Sequence, residues 1–350
     1  MTAMNDLRAR IDASDMLGRI LAFPEQAARA WEIGAAFVKQ AQLPRGPFAR
    51  VVVCGMGGSA IGGDLARSFL GERAEAPLMS CRDYALPGNL ARGALVVASS
   101  YSGNTGETLS AYDAARAAGA AIVAVTSGGE LAKRCARDGV PVCTIPGGMP
   151  PRSAIGFSLF PMLQILRACG AAAFTDAEFE ESLAAVRDRC EAYAPGHKDN
   201  AAIELAHGLH GRTAFVYAAP SLLEGVARRW ACQFNENGKV LAHFAFFPEL
   251  NHNEIVGWEA SPHLMSRAVI FSLEDRDDHP MTRRQAGVGL SIMGPLAARV
   301  ERLESPGGGR LARMLSMMLL GDFASVYLAY LNGVDPTPVT KIDQLKKELA

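Results

Sequence analysis

Five hydroxyl side chains and two glycines are packed into nine residues, Ser99-Ser100-Tyr101-Ser102-Gly103-Asn104-Thr105-Gly106-Glu107, directly after the apolar run 94–98. A helical pattern starts at Thr108. A strand-to-helix turn of this kind brings free backbone N–H groups, the positive end of a helix dipole and short donor side chains to one point. That chemistry suits a phosphate dianion. No Lys-[Ser/Thr] ending follows, so the turn is not a nucleotide-binding P-loop. A polar loop with an N-cap has the same composition; the flanking strand and helix, and a second glycine-rich turn upstream, decide for the ligand site. That second turn, Gly55-Met56-Gly57-Gly58-Ser59-Ala60, follows the run 51–54 and satisfies a relaxed G-x-G-x-x-A dinucleotide pattern, with Asp83 near the end of the next run. A dinucleotide would next need apolar walls for its rings, and the third run delivers the hydroxyl turn instead. Two polar turns at neighbouring strand ends suit a small, hydroxyl-covered, phosphorylated ligand, that is, a sugar phosphate.

The elements that must hold these turns are legible as a rhythm. Short β-branched runs at 51–54, 77–81, 94–98, 121–125 and 140–145 alternate with amphipathic stretches at 60–70, 107–118 and 130–137. The runs lack in/out alternation, as expected of parallel strands covered on both faces. The rhythm resumes with strands at 213–218, 243–247, 267–272 and 298–303, and helices at 222–235 and 281–293. The fold class is α/β, with two doubly wound domains, each a mostly parallel sheet flanked by helices. We expect a helical lead-in at 1–45, domains at 46–175 and 176–335, and a C-terminal tail helix at 336–350.

At 350 residues the chain has room for two such domains. A net charge of −1 gives no reason to expect nucleic acid or an acidic membrane as partner. The longest apolar stretch, 314–331, is interrupted by Gly321 and Asp322 and reads as a buried helix. The first residues, Met1-Thr2-Ala3-Met4-Asn5-Asp6, lack the charged-then-apolar layout expected of a signal peptide. Seven cysteines, none at CxxC spacing, argue against a disulfide framework or a thiolate zinc site and for a reducing cytoplasm. His207 and His210, with Glu204, share a predicted helix face, but no His/Asp/Glu cluster has convincing ligand spacing, and no metal is expected.

Gly57-Gly58-Ser59 and Ser100–Thr105 together closely resemble the sugar isomerase (SIS) domain. The second half sharpens the likeness: Asn235-Glu236-Asn237-Gly238-Lys239, Pro248-Glu249-Leu250-Asn251-His252-Asn253-Glu254 and Asp335-Pro336-Thr337-Pro338 resemble the bifunctional phosphoglucose/phosphomannose isomerase family. The resemblance runs in order from about residue 45 to 350. It implies two SIS domains, a site between them and at a homodimer interface, and hexose 6-phosphates as substrates with no cofactor. The implied reaction interconverts glucose 6-phosphate, and mannose 6-phosphate, with fructose 6-phosphate through an enediol. That chemistry needs a mobile base, a group that opens the sugar ring, and positive charge near the enediolate.

Glu236 is the implied base. It ends a helix whose apolar stripe is Leu223, Val226, Ala227, Trp230 and Phe234, with Gly238 placed as its C-terminal cap. There it meets the negative end of the helix dipole. His252 is the implied ring-opening acid/base, donated into the neighbouring subunit's site. Arg152, in Pro150-Pro151-Arg152-Ser153, is the implied enediolate cation, since a cation at a helix start does nothing for the helix itself. Lys346 matches the family's C-terminal lysine, with Lys341 and Lys347 as competitors. Phosphate falls to Ser100, Ser102 and Thr105, and the sugar side to Gly58 and Ser59. Thr337 or Thr340 corresponds to the threonine tied to epimer preference. Two other readings stand beside this one. A non-catalytic phosphosugar-binding regulator would need the phosphate turn but no base, and a nicotinamide-dependent oxidoreductase would use the 55–60 turn.

Overall fold

A computed structural model describes residues 2–259 and 261–349, and all nine expected strands are present. Residues 1 and 350, the outer ends of the expected lead-in and tail, lie outside the described residues. The chain packs into two compact units, one of residues 22–183 and one combining 1–21 with 184–350. The expected lead-in is therefore divided. Helices α1 (Thr2–Ile11) and α2 (Met16–Leu21) belong with the C-terminal half, whereas α3 (Phe23–Gln40) belongs with the first sheet. The physical reason is visible at Asp12, whose carboxylate accepts the Met16 and Leu17 N–H groups and a hydrogen bond from Tyr330 Oη at 2.7 Å.

In the 22–183 unit the elements run β1 (Arg50–Cys54), α4 (Gly57–Leu70), β2 (Leu78–Cys81), α5 (Gly88–Ala91), β3 (Ala94–Ser100), α6 (Gly106–Ala117), β4 (Ala121–Thr126), α7 (Gly129–Asp138), β5 (Val142–Thr144) and α8 (Ile155–Ala168). The division between units falls within α9 (Asp176–Ala192). The sheet order is β2-β1-β3-β4-β5, every pair parallel, with Cys54 beside Cys81 and beside Ala98. All seven residues of β3 are buried, because helices cover both faces. On one face Val52, Val96, Ala98, Tyr112 and Leu131 form a core with α6 and α7. On the other, α4 is wedged between β1 and α8. A Cβ on Gly63 would lie 2.9 Å from Val53 Cγ1, and one on Gly62 would lie 2.9 Å from Ser158 Cβ.

This strand order reverses direction between β1 and β3. The crevice beyond the carboxyl ends of those two strands is the topological switch point, where ligands bind in open α/β sheets. The glycine-rich turn follows β1 and the hydroxyl turn follows β3, so the two sequence motifs flank that crevice.

The second unit carries α10 (Ala201–Leu209), β6 (Thr213–Ala218), α11 (Glu224–Glu236), β7 (Ala242–Phe246), α12 (Glu254–Gly257), α13 (Pro262–Met265), β8 (Ala268–Glu274), α14 (Pro280–Met293), β9 (Arg299–Glu304), α15 (Arg310–Leu331) and α16 (Thr340–Glu348). Its parallel sheet has the order β7-β6-β8-β9. Helix α15 alone among the described residues is long and apolar enough to cross a membrane, and 94% of its apolar window is buried inside the unit. It is a core helix, as the sequence suggests. Its buried Asp322 is paired, receiving Arg229 Nη2 at 2.8 Å and Gln233 Nε2 at 2.9 Å. The seven cysteines are unbridged, and five are buried.

Candidate functional site

Three segments meet at the switch point of the first sheet and are sewn together by hydrogen bonds. The Tyr101 N–H donates to Ser59 Oγ at 3.2 Å, tying the hydroxyl turn to the glycine-rich turn. The Met149 N–H donates to Tyr101 Oη at 3.1 Å, tying both to the segment that carries Arg152. Close backbone approach completes the join. A Cβ on Gly58 would lie 2.8 Å from the Pro151 carbonyl, and one on Gly55 would lie 2.8 Å from the Ser99 carbonyl. Gly58, Ser59 and the buried Arg152 are thus brought against the hydroxyl turn, with Arg152 on the short 3₁₀ turn Pro151–Ser153.

Within the turn the hydroxyls divide their work. Ser100 is buried; its Oγ lies 2.9 Å from Thr105 Oγ1 and accepts the Gly103 N–H at 3.1 Å. Ser102 is exposed and accepts the Asn104 N–H at 3.2 Å. Thr105 is the N-cap residue of α6, yet no side chain caps the helix, so the first-turn amides of α6 are left for another acceptor. The turn is clamped by the loop after β4. Gly103 has φ +72°, and a Cβ there would fall 1.8 Å from the Gly128 carbonyl oxygen. In return, a Cβ on Gly129 would fall 2.4 Å from the Ser102 carbonyl oxygen, and the Leu131 N–H donates to Gly103 O at 2.9 Å. Uncapped amides, three hydroxyls and the adjoining segment that carries the buried Arg152 are donors of the kind that can hold a small oxyanion.

The second unit holds Glu236 at the end of α11. The stripe residues Leu223, Val226, Ala227, Trp230 and Phe234 are all buried, which fixes the helix over β6–β8 through Trp230 and Phe234 against Phe271. The helix does not end as the sequence suggests. Gly238 is not the left-handed residue; Lys239 is, at φ +54°. Gly238 is needed for a different reason, because a Cβ there would meet Leu328 Cδ2 at 2.8 Å and the Phe234 carbonyl at 2.9 Å.

Lys239 closes the 235–239 motif, which gives it no role of its own; its contacts do. Its Nζ donates to the Glu236 carbonyl and to the carbonyls of Pro338 at 2.7 Å and Pro336 at 3.2 Å. A lysine at a helix C-terminus can satisfy its last carbonyls, and this one also fastens the tail alongside. Between helix end and tail runs a groove of ≈ 410 Å³, lined by Glu236, Lys239, Leu241, Pro338, Thr340 and Lys341 among others. Lys341 and Thr340 line it, while Lys346, Lys347 and Thr337 are not among the lining residues. Lys346 is exposed on α16.

His252 closes the 3₁₀ turn Glu249–His252 after β7 and is exposed, with no hydrogen-bond partner among the described residues. The segment is held by Glu254, which accepts hydrogen bonds from Tyr217 Oη at 2.5 Å and lies 3.0 Å from His243 Nε2. Glu254 and the buried Trp258 thereby cover the sheet face bearing Tyr217 and Ile270. Helix α11 covers the opposite face, where Arg228 stacks over Phe244 at 4.5 Å. Glu236 and His252 are thus carried on opposite faces of one sheet. His210 caps α10 and pairs with Asn332 at 2.8 Å, so it and His207 do not share a helical face. Among the described residues no group of three or more His, Cys, Asp or Glu is arranged to hold a metal ion.

Comparison with known proteins follows the same lines. Residues 198–349 match the family described as bacterial phospho-glucose isomerase C-terminal SIS domain. A bifunctional phosphoglucose/phosphomannose isomerase of Caldicellulosiruptor bescii is 41% identical over 340 residues, covering 96% of this chain and 99% of that one. One from Aquifex aeolicus is 34% identical over 304 residues, covering 87% and 91%. Among solved structures, a hypothetical protein of Thermus thermophilus superposes with a TM-score of 0.73 at 18% identity, covering 100% of this chain and 94% of that one. Tagatose-6-phosphate ketose/aldose isomerase of Escherichia coli superposes with a TM-score of 0.62 at 15% identity, covering 92% and 95%.

Proposed function

The chain belongs to the bifunctional phosphoglucose/phosphomannose isomerase family, and on that premise we infer that it interconverts glucose 6-phosphate and mannose 6-phosphate with fructose 6-phosphate. It is an aldose–ketose isomerase built on two parallel SIS-type sheets. Kinship along nearly the whole chain carries this conclusion, and the oxyanion donors at the β1–β3 switch point give it chemical sense.

In this reading the 6-phosphate sits at the start of α6, where Ser100, Ser102 and Thr105 and the open amides neutralise it. Gly58 and Ser59 face the sugar. His252 moves the proton that opens the ring, shuttling it between the C1 hydroxyl and the ring oxygen. Glu236 then removes the C2 proton from the open aldose as the C1 carbonyl takes up a proton, giving the enediol. Returning the proton to C1 while O2 becomes the carbonyl yields fructose 6-phosphate. Arg152 stabilises the negative charge on the enediolate oxygens. Glucose and mannose 6-phosphates share that enediol and differ only in the face at which C2 is reprotonated. A cation from the tail sits beside the sugar. Lys346 is the family match, whereas the groove beside Glu236 favours Lys341, with Thr340 next to it.

The proposal includes a homodimer in which His252 enters the partner's site. What supports it is the placement of Glu236 and His252 on opposite faces of the second sheet, together with the exposed, unpartnered imidazole. A cytoplasmic setting belongs to the same proposal, supported by seven unbridged thiols. The test is turnover of fructose 6-phosphate by the purified chain, with the glucose 6-phosphate formed oxidised by a coupled dehydrogenase. Steady production supports the reading, and tight binding of the sugar without turnover overturns it in favour of a phosphosugar sensor.

A further inference from the structure

Tyr84 lies at the first sheet's carboxyl edge, and neither the sequence motifs nor the proposed mechanism uses it. It lies in the loop between β2 and α5, 56% exposed, although aromatic side chains of its size are usually buried in this unit. It is nonetheless pinned. Ser110 Oγ, on the second turn of α6, donates to the Tyr84 carbonyl at 2.8 Å, and the Tyr84 N–H donates to Asp83 Oδ1 at 2.6 Å. Its ring is laid against Gly106, the first residue of α6. A Cβ on Gly106 would lie 3.3 Å from Tyr84 Cε1 and 3.5 Å from its hydroxyl oxygen.

The direction matters more than the distance. Cα–Cβ bonds in a helix tilt toward its amino end, so the position that a Gly106 Cβ would take lies toward the open amides of the first turn. The Tyr84 hydroxyl occupies that side, within reach of the space in front of α6, and has no hydrogen-bond partner among the described residues. A phenol O–H is a single donor well suited to a phosphoryl oxygen. Gly106 has helical backbone without a positive φ, so backbone strain does not require glycine there; a methyl group would instead press on the ring at 3.3 Å.

We propose that Tyr84 is a phosphate-binding residue, its phenol donating to the phosphoryl group held at the start of α6 and its ring roofing that group against water. The inference rests on the sugar-phosphate reading of this site. A contact to the phosphate is equally present in the ground and transition states, so it acts on binding far more than on the chemical step.

The experiment compares the wild-type chain with Tyr84→Phe and Gly106→Ala, titrating inorganic phosphate calorimetrically and measuring KM and kcat for fructose 6-phosphate. Tyr84→Phe keeps the ring and so keeps the fold. Loss of one hydrogen bond to a charged group corresponds to a weakening of about tenfold. That weakening is expected in both phosphate Kd and KM, with a much smaller change in kcat. Gly106→Ala displaces the ring and moves both quantities in the same direction, and it adds little in a Tyr84→Phe background. The inference is overturned if the wild type turns over fructose 6-phosphate while Tyr84→Phe leaves phosphate affinity and KM within a factor of two. If the wild type binds phosphate but does not isomerise, the functional reading fails while the titration still decides the role of Tyr84. Absence of phosphate binding by the wild type overturns both.

Discussion

Replacing Gly103 by alanine probes the clamp that shapes the hydroxyl turn, and Gly119 supplies a matched control. Both glycines are left-handed, with φ +72° and +68°. Each alanine therefore meets the same conformational penalty of roughly 1–2 kcal/mol and the same offset from a stiffer unfolded chain of about 0.4–1 kcal/mol. Their surroundings differ. A Cβ at 119 meets nothing within 4 Å, whereas one at 103 falls 1.8 Å from the Gly128 carbonyl oxygen. That carbonyl accepts the Thr126 hydroxyl at 3.0 Å, so relief requires the two loops to part by more than about 1 Å. Overpacking of this kind costs about 1–3 kcal/mol. The Gly103→Ala chain should therefore unfold in urea at a lower midpoint than Gly119→Ala, by about 1–3 kcal/mol at unchanged m-value. Displacement of the turn by an ångström is also a catalytic event, on the order of a hundredfold in similar cases. We expect kcat/KM for fructose 6-phosphate to fall by at least about tenfold in Gly103→Ala and to stay near wild type in Gly119→Ala. Equal midpoints and equal kcat/KM in the two variants would refute the clamp.

Two further outcomes follow from the second unit. Arg229 and Asp322 form an ion pair in which each side chain is 3% exposed. Asp322→Ala should destabilise the chain by about 3–5 kcal/mol because it deprives a buried guanidinium of its carboxylate, whereas replacing both residues by leucine should recover most of the loss; calorimetric unfolding reads both. Burial pushes the Asp275 carboxyl up, but hydrogen bonds from Arg313, Ser305 and the Asp277 amide outweigh it and hold the group below its usual range. A carboxylate depressed in the folded state gives stability that is complete above the unfolded value of about 3.9 and is lost as pH falls through the folded value. Acid unfolding followed below about pH 4 should thus be shallower in Asp275→Asn than in the wild type, and identical slopes would contradict this assignment.

Much of the fold was legible because its signal is local. Unbroken apolar runs such as 94–98 announce parallel strands, and the turns after 54 and 98 name the switch point before any coordinate is seen. What escaped depends on contacts between distant residues. Asp12 and Tyr330 are 318 positions apart, and their hydrogen bond draws α1 and α2 away from the expected lead-in. Gly238 looks like a helix cap because glycine often serves as one, but the pressure on it comes from Leu328. The choice between Lys341 and Lys346 turns on how the tail lies against α11, which is set by the Lys239 ammonium reaching back to Pro336 and Pro338. Lys239 itself stood inside a motif, where a lysine three residues beyond a helix end was the available signal. Tyr84 had none, since only the approach of its ring to Gly106 singles it out.

The central claim is that this chain moves a proton between C1 and C2 of a hexose 6-phosphate with Glu236 as the base. A single nuclear magnetic resonance time course in D₂O tests it most directly, following fructose 6-phosphate with the wild type and with Glu236→Gln. Removing a general base costs roughly 10²–10⁴-fold. The account predicts that the wild type forms both glucose and mannose 6-phosphates carrying deuterium at C2. Glu236→Gln should form neither at a detectable rate while still binding the substrate. Failure of the wild type to form either aldose phosphate, or undiminished isomerisation by Glu236→Gln, would contradict it.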